Sequence, residues 1–356
     1  MVKNPFKFLD SYTKADKDRF FGREKETAQL YNIVHASNLV LLYGASGTGK
    51  SSLINCGLAN RFHDTDWYPI FIRRGSHLIQ AMHREINKAF PTPIEGTDIS
   101  IPQKIKQLYL EYYRPVYLIF DQFEEIFILG DKREQFEFYQ TILTLMKSNL
   151  QCKVIIIVRE EWIAFLNEFE KAIPTLFDNR MRIEKMNDRN IMRVIVGTIR
   201  YGKIRIKEPK RTIPQIIKNV RDKRERIDLT NLQVYLDWLF RKDLQHQERK
   251  GETITHVTFT PELVEQVGPM ANVLAEFLNE QLKKVEENMS TAGLKSEGIP
   301  LEILFTLVTE DGTKRSMSIE DIAKMLPQSR NISEKEVKFC LDELIKAKVL
   351  RVLEET

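Results

Sequence analysis

A lysine and a serine closing a glycine-rich turn are the first residues in this chain from which chemistry is expected. Gly44-Ala-Ser-Gly-Thr-Gly-Lys-Ser51 fits G-x-x-x-x-G-K-[ST] at every position. Gly44, Gly47 and Gly49 let backbone N–H groups curl around phosphate oxygens, where a Cβ would block the approach. Ala45, Ser46, Thr48 and Ser52 belong to the same cradle. Lys50 would reach the β- and γ-phosphates of a nucleotide, and the Ser51 hydroxyl would ligate Mg²⁺. The run Leu39–Tyr43 predicts a strand before the loop, and Ser51–Asn60 a helix after it, with its positive end toward the same anion. That context separates the motif from a chance glycine-rich turn.

A second element is Val116-Tyr-Leu-Ile-Phe-Asp121, an apolar strand ending in an acid. A carboxylate at such a tip holds the magnesium shell, the logic of a Walker B motif. Glu124 and Glu125 follow one turn later, and either could polarise an attacking water; glutamates on a surface helix are otherwise simply solvated. The sequence does not separate the two. A third element is Val154-Ile-Ile-Ile-Val-Arg159, where an arginine ending a buried strand beside the loop would sense the γ-phosphate.

The elements that must position these residues are legible as patterns. Leu39–Tyr43, Tyr68–Ile72, Val116–Phe120, Val154–Val158 and Met181–Glu184 read as parallel strands covered on both faces. Helical patterns at Gln103–Tyr113 and Arg133–Leu150 lie between them, and Pro91–Gly96 reads as a loop. After residue 186 strand signals nearly stop. Asn187 or Asp188 would cap a helix through Ile191, Val194, Ile195 and Ile199, and helices follow at Ile213–Val220, Leu229–Leu244 and Pro261–Glu287. Ser290–Gly298 reads as a linker. Helices at Leu301–Val308, Ile319–Met325 and Ser333–Ala347, the last opened by a Ser333-x-x-Glu336 capping box, precede a strand at Val349–Leu353, which suggests a winged helix. Three domains are expected: 1–186 binding nucleotide, 187–297 helical, and 298–356 an incomplete winged helix.

Composition bounds the function classes. The 356 residues are 42% hydrophobic and 29% charged, as in a globular protein with a sizeable core. No apolar run of about 18 residues exists, and the N-terminus lacks a secretory apolar region. Cys56, Cys152 and Cys340 are far apart and form no metal spacing, which fits a reducing cytoplasm. The net charge of +4 is too small to argue for nucleic acid.

Taken together, Phe20-Phe-Gly-Arg-Glu24, the P-loop, Asp121-Gln-Phe-Glu-Glu-Ile-Phe127, Arg159 and Leu176–Glu184 resemble the novel STAND group of signal-transduction ATPases, related to AAA+ proteins. The resemblance runs from about Asn4 to near the C-terminus. It implies an α/β P-loop domain with sheet order 5-1-4-3-2, then an all-α domain, then a winged helix. It also implies ATP/ADP and Mg²⁺ as cofactors, with Gly22 and Arg23 near the adenine, Asp121 on the metal and Arg159 as sensor 1. Nucleotide exchange or slow hydrolysis would switch the chain between a closed ADP form and a self-associating ATP form, often in bacterial defence or signalling. Two departures stand out. Gln122 occupies the position where many such ATPases carry an acid, and Thr230 stands where the helical domain usually offers a proline. The chain also stops at Thr356, before a second wing strand bearing a His-Asp pair, so a fragment with a sensor or effector region beyond it is expected.

Two other readings stay open. One is a DNA-binding AAA+-like loader or regulator using the winged helix; the other is a nucleotide-binding scaffold without turnover. Against nucleic acid, the basic stretch Lys203–Arg226 is diluted by Asp222 and Glu225 and carries no aromatic residue, and Ser333–Ala347 balances acids against lysines. His63, His77, His83 and His256 lack metal spacing. Trp67, Trp162 and Trp238 read as packing residues, and Cys56 as a small buried one.

Overall fold

The computed structural model describes residues 3–92, 99–251, 254–308, 315, 317–326, 332–347 and 349–350. The chain divides into two compact units, residues 1–266 and 267–355.

In the first unit, α1 (Glu24–Ala36) leads into β1 (Leu39–Gly44) and the P-loop. The helix after the loop begins as one α-turn, α2 (Lys50–Ser52), and continues as a π-helix over Leu53–Leu58. There follow β2 (Tyr68–Ile72), α3 (Leu78–Lys88), α4 (Ile101–Tyr112), β3 (Val116–Phe120), α5 (Glu125–Ile128), α6 (Lys132–Lys147), β4 (Cys152–Arg159), α7 (Asn167–Ala172) and β5 (Arg180–Arg182). All five strands are parallel, in the order β2-β3-β4-β1-β5. This is the expected 5-1-4-3-2 sheet read from the other edge. The unbroken apolar strands have a simple cause, because successive side chains point to opposite faces and both faces are covered. Leu39, Leu41, Leu118, Phe120, Val154 and Ile156 pack with residues of α3, α4, α6 and α7. Val40, Leu42, Tyr117, Ile119, Ile155 and Ile157 pack with residues of α1 and the π-helix.

Beyond the sheet, α8 (Asp188–Tyr201) is capped by Asn187, whose side chain accepts from the Asn190 N–H at 2.9 Å. The pair β6 (Arg205–Ile206) and β7 (Thr258–Phe259) is two residues long, so the near-absence of strands expected here holds. Between them lie α9 (Pro209–Val220) and α10 (Leu229–Arg249). Every residue from Leu232 to Phe240 in α10 is buried, which makes this helix the centre of its surroundings.

The single helix expected over Pro261–Glu287 is two: α11 (Pro261–Val267) and α12 (Met270–Thr291). Gly268, at φ +70°, ends the first, and Pro269 cannot continue it. The second unit holds α12 with α13 (Ile299–Thr306), α14 (Ile319–Met325) and α15 (Glu334–Lys346) around Leu282, Val285, Ile303, Ile322, Val337 and Leu344. The Ser333–Glu336 capping box is present. The strand expected at Val349–Leu353 and most of the loop at Pro91–Gly96 lie outside the described residues.

Candidate nucleotide site

Four adjacent strands deliver the site. Ile72 of β2 pairs with Phe120 of β3, Phe120 pairs with Ile156 of β4, and Arg159 at the tip of β4 pairs with Gly44 at the tip of β1. The chain therefore presents Arg73, Asp121, Arg159 and the P-loop side by side at the carboxyl edge of a parallel sheet. That edge is where α/β folds place their ligands.

The loop is tightly held. A Cβ on Gly44 would stand 2.3 Å from the Ile183 carbonyl oxygen. The Thr48 hydroxyl donates to the Ala45 carbonyl at 2.9 Å, while Ser46 is exposed at the tip. Lys50 Nζ donates to the carbonyls of Gly44 and Ala45 at 2.8 and 2.9 Å. Burial holds the Lys50 ammonium below the usual lysine range, opposed by the nearby Glu124 carboxylate.

Asp121 is 7% exposed and uses both carboxylate oxygens. Oδ1 accepts from the Ser51 hydroxyl at 2.9 Å, and Oδ2 accepts from Arg73 Nη2 at 2.8 Å. Adjacent corners of a magnesium octahedron with bonds of ~2.05 Å are about 2.9 Å apart. The Ser51 and Asp121 oxygens therefore fit neighbouring positions on one such ion. Among the described residues no group of three or more His, Cys, Asp or Glu side chains could hold a metal. Magnesium bound through one carboxylate, a hydroxyl, phosphates and water needs no such group.

Glu124 and Glu125 separate in space. Glu124 is 3% exposed; its Oε1 accepts from Arg159 Nε at 2.9 Å and its Oε2 from the Arg159 N–H at 3.3 Å. Glu125 is half-buried at the first position of α5. Gln122, the residue directly after Asp121, sits in the left-handed region at φ +60°. That backbone, rare outside glycine and asparagine, turns the chain off β3 so that Phe123 N–H can donate to the Ile157 carbonyl and Glu124 can reach Arg159.

The other motif residues brace the site. Arg23 is buried and its Nη2 donates to the carbonyls of Thr48 at 2.9 Å and Glu184 at 2.7 Å, tying the P-loop to the segment after β5. A Cβ on Gly22 would stand 3.0 Å from Val194 and 3.1 Å from the Asn190 carbonyl oxygen, both on α8. The Ser52 hydroxyl accepts from the Tyr12 N–H at 3.1 Å.

Three features escaped the sequence reading. Arg73 has the same signal as Arg159, a basic residue at a strand's end. Arg74 beside it is buried in an ion pair with Glu134 of α6, Nη2 to Oε2 at 2.7 Å, and Glu134 also accepts from the Leu78 N–H at 2.6 Å. The third is the N-terminus of α10, which covers the P-loop. Leu229 N–H donates to the Gly47 carbonyl at 3.2 Å, and the Asp228 carboxylate stands where a Cβ on Gly47 would be. Beside this contact a cleft of about 500 Å³ runs between residues 185–189 and 225–227.

The three cysteines are free and buried, and burial pushes the thiols up to about 11 for Cys56 and about 12 for Cys152 and Cys340. Trp67, stacked on Phe62, and Trp238 are buried packing residues.

Comparison with known proteins bears on the fold and the family. No curated protein matches the sequence significantly. Among solved structures, the Walker-type ATPase of Pyrococcus abyssi is similar at 14% identity and TM-score 0.50, over 97% of this chain and 93% of that one. The Aeropyrum pernix ORC1 protein, solved in complex with DNA, matches at 17% identity and TM-score 0.52, over 93% and 85%. The Aeropyrum pernix ORC2 protein, in ADPNP-ADP complexes, matches at 14% and 0.52, over 91% and 85%. These likenesses show a shared fold. The model of the family "Novel STAND NTPase 1" matches residues 5–356. The chain belongs to the novel STAND NTPase 1 family.

Proposed function

We propose that this NTPase is an ATP-operated switch, binding Mg-ATP and hydrolysing it slowly to control closure and self-association in a cytoplasmic signalling role. The observation that carries the reading is the contact at Gly47. One face of the P-loop would hold phosphate, and the Gly47 carbonyl is bonded by the first turn of α10. A nucleotide that tightens or displaces the loop acts directly on that helix. Residues 1–186 would supply the nucleotide chemistry, 187–297 the moving part, and 298–356 a winged helix acting as an intramolecular clamp.

In this reading the P-loop N–H groups and Lys50 hold the phosphates, and the cleft along residues 185–189 and 225–227 takes the nucleoside. Ser51 and Asp121 would hold Mg²⁺, which supplies charge neutralisation at the β- and γ-oxygens. Glu124 is the base that orients water, and Arg159 takes up charge on the γ-phosphate. Drawing the Arg159 guanidinium to phosphate would break its bond to Glu124 Oε1 and free that oxygen for water, a step that suits slow turnover. Lys50→Ala should abolish ATP binding in calorimetry while leaving the fold intact; wild-type affinity in that variant would sink the assignment.

A second reading has one observation in its favour, the likeness to an ORC1 protein whose structure includes DNA. In it, α15 would meet duplex DNA. That helix carries Glu334, Glu336, Asp342 and Glu343 against Lys335, Lys338 and Lys346, a poor balance for approaching phosphates. Duplex binding that weakens steeply with salt would favour this reading over the switch.

A further inference from the structure

We propose that Arg73 is a second γ-phosphate sensor, held in reserve as the counter-ion of Asp121. The proposal rests on the nucleotide site described above and adds a residue to it.

A carboxylate as buried as Asp121 needs a nearby cation, and Arg73 provides it through the 2.8 Å bond to Oδ2. The same carboxylate is the acid toward which the metal is drawn. Two cations on one carboxylate repel each other, so a divalent ion reaching Asp121 and Ser51 loosens the hold on the guanidinium. Arg73 is then free to swing, since its side chain is 55% exposed. It cannot drift far, because its backbone is anchored on both sides. Ile72 is locked in the sheet opposite Phe120, and Arg74 is fixed by Glu134, which also receives the Leu78 N–H. An arginine with a rigid base and a mobile fork is suited to recognising a phosphate oxygen by paired hydrogen bonds.

The arrangement mirrors Arg159. β2 and β4 flank β3; Arg73 directly follows β2 and Arg159 ends β4, and each pairs with a carboxylate that follows β3: Arg73 with Asp121, and Arg159 with Glu124. Only a third phosphate would engage both arginines, so ADP should leave the Arg73 fork largely unused.

The test is calorimetry on the full chain with Mg-ADP and with a magnesium-bound ATP analogue that resists hydrolysis. Arg73→Ala should weaken the analogue by about 10-fold or more and ADP by less than about 3-fold. Arg73→Lys, which keeps the charge and loses the fork, should fall between. An unchanged ratio of analogue to ADP affinity in a folded Arg73→Ala overturns the proposal and leaves Arg73 a structural counter-ion. Equal losses for both nucleotides overturn it as well. A wild-type chain that binds neither nucleotide overturns the site itself, a result visible before any substitution is made.

Discussion

Glu124 and Glu125 are neighbours in sequence, but their environments differ, and the proposed hydrolysis gives them different tasks. Glu124 is almost fully buried and bonded to Arg159, beside the loop that carries Lys50. Glu125 is half-buried and opens α5. What separates them is Gln122, whose left-handed backbone sets the direction in which the next residues leave β3. Replacing a positioned base slows proton transfer by roughly 100-fold or more. Glu124→Gln should therefore cut phosphate release by about that factor with ATP affinity nearly retained, and Glu125→Gln should stay within about 3-fold of wild type. Equal losses in the two variants, measured in single-turnover phosphate release, would show that the assignment is wrong.

At the scale of elements, the proposed switch depends on the first turn of α10. Its Asp228 caps the helix by accepting from the Thr230 N–H at 2.8 Å and at the same time fills the space over Gly47. Gly47 sits at φ +71°, and a Cβ there would fall 1.7 Å from Asp228 Oδ2. Gly47→Ala must either strain the loop or push the cap away. Hydrogen exchange should then speed up at Thr230 and Leu232, the amides tied to Asp228, while the β3 and β4 amides stay protected. Unchanged exchange at the cap would mean that the loop and the helix are not coupled.

This same contact marks the limit of what the sequence disclosed. The strands were legible because parallel strands buried on both faces leave unbroken apolar runs, and the P-loop because its glycines answer a local demand. Gly268-Pro269 was equally local and was overlooked inside an apolar periodicity that continues across it. Asp228 carries no such signal, and Arg73 shows only a basic residue at a strand's end, not the partner it meets. Their roles come from the register of β2 on β3 and from packing between segments far apart in the chain, which no spacing rule encodes. Arg74–Glu134 is similar: truncating one partner of a buried pair costs roughly 3–5 kcal/mol, yet in sequence it is only one more arginine and one more glutamate.

At the scale of the whole molecule, a switch must satisfy an energetic condition. Moving a population from 1:99 to 99:1 requires about 10⁴-fold, or ~5.5 kcal/mol, of preference by the ligand for one state. ATP and ADP differ by one phosphoryl group, so its contacts must supply that difference. A charge-assisted hydrogen bond contributes about 1.5–3 kcal/mol, so one such bond falls short, while two near the upper value or three near the middle of the range reach it. Lys50, Arg159 and Arg73 are the three that the strand tips bring together. In the proposed switch, the bond between the Leu229 N–H and the Gly47 carbonyl would give that preference a path to α10. In sedimentation velocity the ATP analogue should drive the chain to a larger species without DNA, while ADP leaves it unchanged. Lys50→Ala should not respond at all. Arg159→Ala, having lost one of the contacts, should need about 10-fold more analogue to reach the same assembled fraction. Assembly that depends on duplex DNA, or that responds to ADP as well as to the analogue, would contradict a switch set by the γ-phosphate and favour the loader reading.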